Sequence, residues 1–218
     1  MSTDDVHHGH RTRDNVDFTF MYAAHEAFRR DLRRLKAAIN AGHADSLGTR
    51  TGWATFKRQL HVHHTSEDIA LWPPLHQRVG RPDEVAVLEA MEAEHGRIDP
   101  QLAQVDAALA SAENANLAAS VDELATALQA HMDHEEEDAL PLVESYLGKQ
   151  GWDAFRKTFI KRQGLTGAAE ALPWLLDGAS VETHQRILGA LPAPLRLIFR
   201  AVWRPSYLRR QRWADSTQ

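Results

Sequence analysis

The chain of 218 residues contains no cysteine. That absence excludes disulfides, thiolate metal ligands, iron–sulfur clusters and cysteine nucleophiles together, so any metal must be held through nitrogen and oxygen. No apolar run approaches the ~18 residues that a membrane-spanning helix needs. The opening MSTDDVHHGHRTRD also lacks the apolar stretch of a secretory signal, which makes the cytoplasm the expected location. No appended DNA-binding or signalling domain is visible. The zinc-protease pattern His-Glu-x-x-His is missing as well.

A hydrophobic content of 43% is enough for a real core. The net charge of -5 hides an asymmetry: residues 1–149 carry 14 basic and 25 acidic side chains, and residues 150–218 carry 11 and 5. An acidic body with a basic tail argues against nucleic-acid binding by the body.

Residues 1–14 are polar and read as a lead-in, and His7, His8 and His10 within it read as tail residues. From 15 to 148 the apolar positions recur at steps of three and four in four blocks, separated by AGHADSLGTRTG, VGRPDE and SAENAN. Short connections make sequential helices antiparallel neighbours, so the expected fold is all-α, an up-down-up-down four-helix bundle. Residues 149–218 are expected to add a basic helical extension of two or three short helices. In one reading Trp174, Leu175, Leu176, Leu197, Phe199 and Trp203 cover the bundle or a homodimer seam. In the other, Arg196, Arg200, Arg204, Arg209 and Arg210 flank aromatic residues in a basic membrane contact.

Six ionisable side chains occupy seam positions that should be Leu or Val: His25, His63, Glu67, His95, His131 and Glu135. Burying such groups unpaired is costly, and a metal would compensate. At 1.5 Å per residue, His25 and His63 each lie about 20 Å from the turn that joins their helices. The same reckoning puts His95 and His131 at that level. His63-x-x-x-Glu67 and His131-x-x-x-Glu135 each precede a proline by six residues, Pro73 and Pro141, so the chain reads as a duplicated helical hairpin. Pro100 frees the carbonyl of Gly96 and could bend the third helix beside His95. His61, His64 and His134 fall off the seam and are expected on a solvated face.

Four histidines and two glutamates are too many ligands for one structural zinc, which closes with four. They suit two ions of intermediate softness, two imidazoles on each and both carboxylates bridging. A ferritin-like site would need paired Glu-x-x-His motifs, and only Glu92 to His95 has that spacing.

With His25, HHTSEDIALWP, EHGRI and HMDHEEEDALP in order, the chain resembles the hemerythrin-like, or HHE cation-binding, proteins over roughly residues 15–147. The resemblance implies a non-haem di-iron centre inside the bundle; manganese would suit the same donors. The oxygen-carrying members place a fifth histidine one turn after the third-helix histidine, where this chain has Asp99. Its pattern is similar to an actinobacterial subgroup, which suggests disproportionation of hydrogen peroxide, with no catalytic residue needed beyond the metal centre. The alternative is a non-catalytic sensor of dioxygen, nitric oxide or iron. Tyr22, Asp99, Glu136 and Asp138 are expected in an outer layer supporting the ligands.

Overall fold

The computed structural model describes residues 16–111 and 116–213, so the lead-in at 1–14 lies outside the described residues. Among those described, the elements are all helical. The bundle consists of α1 (Thr19–Asn40), α2 (Leu47–Ala70) with a short continuation α3 (Trp72–His76), α4 (Pro82–Ala110) and α5 (Leu117–His134). The helix begun by α5 runs on through a π-turn segment (Glu135–Ala139), α6 (Leu140–Leu142) and a second π segment (Val143–Leu147). The extension comprises α7 (Gly148–Leu176), α8 (Val181–Gly189), α9 (Ala193–Ile198), a π segment (Phe199–Trp203) and α10 (Arg204–Arg209).

Local chemistry accounts for several of these limits. Ser46 caps α2 by accepting from the Thr49 N–H at 3.1 Å. Pro82 opens α4 where its missing N–H costs nothing, with Asp83 and Glu84 in the positive first turn. Pro100 lies inside α4, and the helix runs through it to Ala110. Pro73 and Pro74 start α3 after a distorted Leu71 (φ -112°), so the second helix is offset just beyond Glu67. Pro141 follows a wide turn in which the Leu140 N–H reaches the Glu135 carbonyl. Both prolines thus relax the helix immediately after a seam carboxylate, once as a break and once as a π-turn.

α1 packs on α2 and α5, and α4 on α5 and α2, which closes a four-membered ring. Its core is two apolar blocks. One holds Phe28, Leu35, Phe56, Leu60, Val105 and Leu124. The other holds Met21, Trp72, Leu88, Met91, Leu140 and Val143. The seam residues at 25, 63–67, 95 and 131–135 fall between the two blocks in every helix, so the polar layer is sealed above and below by hydrocarbon.

The extension departs from a set of short helices. It begins with the 29-residue α7, which lies along α2 and α1 and bends at Gly164. At φ 62° and ψ -179°, Gly164 sits in a region open essentially to glycine alone. Trp174, Leu175, Leu176 and Phe199 are buried, whereas Leu197 is exposed and Trp203 half-buried. Docking is polar as well as apolar: the Trp174 indole N–H donates to buried Asp31 at 2.7 Å, and Arg34 pairs with Asp177 at 2.6 Å. Trp213 lies over Gly52, where a Cβ would come within 2.2 Å of its ring. Among the described residues no helix is long and apolar enough to cross a membrane.

Candidate metal centre

The four helices bring His25, His63, Glu67, His95, His131 and Glu135 into one layer, each less than a tenth exposed. The imidazoles meet in pairs through Nε2, His25 with His63 at 3.2 Å and His95 with His131 at 3.1 Å. The Oε1 of Glu67 lies 3.1 Å from the Nε2 of His63, and its Oε2 lies 3.5 Å from that of His95, so this carboxylate spans both pairs. Glu135 Oε2 lies 3.2 Å from His25 Nε2. The wide turn that begins at Glu135 belongs to the same stretch of backbone that carries this carboxylate toward α1, and such turns recur at functional sites.

Three of the four outward nitrogens are tied down. Nδ1 of His25 meets Glu136 at 2.6 Å, that of His95 meets Asp68 at 2.8 Å, and that of His131 meets Glu94 at 2.9 Å. An imidazole that donates Nδ1–H to a carboxylate presents a bare Nε2 lone pair inward, the tautomer that a metal requires. Arg29 holds Glu136 at 3.0 Å, and His134 shares Glu94 at 3.0 Å.

Burial, and then the neighbouring imidazoles, hold His63 and His64 well below the usual histidine range. Burial also lowers His131, only partly offset by Glu94. At His25 burial acts downward too, but Glu135 and Glu136 together outweigh it and raise the group. Burial, and then the charge of Glu135, push the Glu67 carboxyl well above the carboxylate range. Two carboxyls facing each other in a dry layer are unfavourable without a cation between them.

His64 joins the layer although it lies off the seam. Expected on a solvated face, it is buried at 6% exposure, and its ring stacks on His95 with centroids 4.0 Å apart. Ligand atoms of His64, His95 and His131 lie within 4.8 Å of one another, as do those of His25, His63 and Glu135. Asp68 and Glu94 were also absent from the expected outer layer. Glu94 stands in the one Glu-His neighbourhood of the third helix, and no spacing rule pointed to Asp68. Of the outer residues that were expected, Glu136 reaches a cluster histidine. Asp99 is exposed and Asp138 reaches only His134, at 3.6 Å, so the structure does not bring these two to the cluster. Tyr22, 44% exposed, is raised by partial burial and then by the charges of Glu136 and Glu135, beside which it stands. His61 is exposed, in keeping with a solvated face.

The residues present fit a pair of cations. All four oxygens of Glu67 and Glu135, and the Nε2 of His64, are buried without a hydrogen-bond partner among the described residues. The Nε2 atoms of His63, His25 and His95 approach these carboxylates to 3.1, 3.2 and 3.5 Å. Such a set is costly as a self-contained network and well suited to N/O coordination.

Neither a curated protein nor a solved structure matches the chain significantly. Residues 16–143 match the hemerythrin HHE cation binding domain, a span that contains all six seam residues together with His64, Asp68, Glu94 and Glu136. With more than half of its length so matched, the chain belongs to the hemerythrin HHE cation-binding family.

Proposed function

We propose that the chain holds two iron ions between α1, α2, α4 and α5 and disproportionates hydrogen peroxide there. The observation that carries this reading is the pairing of Nε2 atoms across two buried carboxylates that have no hydrogen-bond partner. His25 and His63 would hold one ion, His95 and His131 the other, with Glu67 and Glu135 shared. Bound iron supplies electron exchange with small oxygen species, which no side chain of this chain could do alone.

The protein's own part concerns orientation, exclusion of water and protons. Disproportionation oxidises one peroxide to dioxygen, releasing two protons and two electrons, and reduces a second to two waters with the same protons and electrons. Glu136, Glu94 and Asp68 join buried imidazoles to partly exposed carboxylates, with side-chain exposures of 22%, 18% and 43%. Each offers a place for a proton between the layer and solvent. Burial acts to raise the Glu136 carboxyl, but His25 and then Arg29 outweigh it and keep it ionised, and Arg29 holds it in place at 3.0 Å. The apolar blocks on either side keep bulk water from competing for the layer.

The test is oxygen evolution after adding hydrogen peroxide to protein whose iron has been quantified, with His63→Ala as the control. Release of one dioxygen per two peroxides by wild type, lost in the variant, supports the reading; iron analysis against manganese identifies the ion.

A second reading, binding of dioxygen or nitric oxide without turnover, is favoured by His64. Its third imidazole beside His95 and His131 makes the two halves of the centre unequal, so that exchange with solvent species would be confined to the His25/His63 half. A fully loaded protein that evolves no dioxygen, yet changes its absorption on adding either gas, would establish this second reading.

A further inference from the structure

The last helical stretch, α9 with its π segment and α10 (residues 193–209), packs on α7 by one row of side chains. Leu195, Phe199, Trp203 and Tyr207 recur at steps of four and are buried or half-buried. The opposite side carries a second, outward set. Leu197, Ile198, Val202 and Leu208 are 67%, 42%, 56% and 54% exposed, a ridge that runs roughly 16 Å along the helix at 1.5 Å per residue. The aromatic side chains thus anchor the segment, and aliphatic ones face away from the protein.

Charge follows the same division. Residues 190–213 contain six arginines and no acidic side chain. Arg210 and Arg212 are engaged by Glu170, Arg210 at 3.2 Å. Arg196, Arg200, Arg204 and Arg209 form no hydrogen bond or ion pair with any described residue. Arg200, Arg204 and Arg209 are exposed and Arg196 is half-buried. Carboxylates on the neighbouring elements pair elsewhere, Glu182 with Arg186 at 2.9 Å and Asp177 with Arg34 at 2.6 Å. Steps of four place Arg196, Arg200 and Arg204 in one row beside Leu197 and Ala201. Arg196 and Arg200 also share a groove with Val181, His184 and Leu188 of α8.

Free guanidinium groups beside an exposed aliphatic ridge match a surface that is apolar in depth and anionic at its edge. A nucleic acid would use the arginines and leave the ridge in water. A second copy of the chain seated face to face would set arginine against arginine. We infer that the outer face of residues 193–209 docks the protein on an anionic lipid bilayer, with Leu197, Ile198, Val202 and Leu208 in the headgroup boundary and Arg200, Arg204 and Arg209 on lipid phosphates. The segment lies in the plane of the surface and spans nothing. Docking of this kind leaves the metal layer untouched, so it is independent of peroxide turnover.

The test is co-sedimentation of the full-length, metal-loaded protein with vesicles of equal parts phosphatidylglycerol and phosphatidylcholine, against vesicles of phosphatidylcholine alone, at roughly 0.1 M salt. The expected partition coefficient is at least tenfold higher on the anionic vesicles. Arg200→Gln should lower it about fivefold, the share of one arginine at an anionic surface. The double variant Leu197→Ser, Val202→Ser should lower it at least tenfold, because exposed aliphatics contribute only by entering the lipid. Ile69→Ser, at an exposed aliphatic of α2 outside this face, should change nothing. All four sites are exposed, and circular dichroism checks that the variants fold. No partition of wild type onto the anionic vesicles, equal partition onto both kinds, or partition that the double serine variant leaves unchanged overturns the inference. Two further outcomes also overturn it: displacement from the vesicles by duplex DNA that itself binds tighter, which assigns the arginines to nucleic acid, and a lipid-free dimer abolished by the serine variant, which assigns the ridge to a second copy.

Discussion

The imidazole of His64 lies flat against that of His95, with centroids 4.0 Å apart and planes within 12°. The edge of the stacked pair faces His131, whose ring centroid is 5.2 Å from that of His64. Burial, followed by the charge of neighbouring histidines, holds His64 well below the usual histidine range and keeps it neutral. Its Nε2 would therefore be available to a cation held by His95 and His131.

Replacing His64 tests that relationship. His64→Ala should lower the iron content from two ions toward one per chain, whereas His61→Ala, one turn-face away and exposed, should leave it unchanged. Metal analysis after dialysis against a weak chelator reads both. Retention of two ions by His64→Ala would show that the ring supports His95 by stacking alone.

Glu67 makes metal binding and stability respond to pH in opposite directions. Its carboxyl is raised in the folded chain, chiefly by burial and then by Glu135. In metal-free protein, the stability associated with it is present below the unfolded carboxyl value of about 4.3 and is lost as pH rises through the higher folded value. Cations need the ionised form, so metal affinity should fall as pH drops through that same raised value. The gap in Tm between loaded and metal-free protein should thus narrow on acidification. In metal-free Glu67→Gln the dependence should flatten, and a parallel shift in both proteins would contradict this assignment.

The contact of Asp177 with Arg34, at 2.6 Å, helps seat the extension. Burial acts to raise the Asp177 carboxyl, but Arg34 and Arg30 together outweigh it and hold the group below the usual range. Its contribution is present above the unfolded value of about 3.9 and is lost as pH falls through the lower folded value. Asp177→Asn should cost about 1–2 kcal/mol at neutral pH, the scale of a partly buried charge-assisted bond, and nothing once wild-type Asp177 is protonated. Urea unfolding at neutral and strongly acidic pH measures the difference.

Close approach, rather than backbone conformation, restricts Gly52, since a Cβ there would stand 2.2 Å from the Trp213 ring. Gly52→Ala should destabilise by about 1–3 kcal/mol, as overpacking does. The Trp213 backbone N–H also donates to the Gly48 carbonyl at 3.1 Å, so displacing the ring frees the end of the tail. In the double variant with Trp213→Ala, the two losses should not add, because the second substitution removes the atom with which the first collides.

Much of the centre was legible before any coordinates. His25, His63, Glu67, His95, His131 and Glu135 could be placed together because helical periodicity and rise are local properties, and equal arm lengths from short turns bring equal heights. The lack of cysteine restricted the donors to nitrogen and oxygen by composition alone. Asp99 shows where local reasoning ended: being one turn from a seam histidine does not keep a side chain beside the layer.

What only the tertiary structure decided was the surroundings of each helix away from the seam. His64 sits about 100° around α2 from His63, a direction that points to water in an isolated helix. It points at His95 here because the rotation of α2 against α4 is set by packing of both apolar blocks. Asp68 and Glu94 meet histidines of other helices for the same reason. A cavity of about 330 Å³ between bundle and extension is further still from the sequence, since its walls belong to α1, α2, α7, α8 and α9 and exist only because the extension folds back across the bundle. Helix periodicity fixes which residues share a face, but which neighbour that face meets is a property of the whole packed chain.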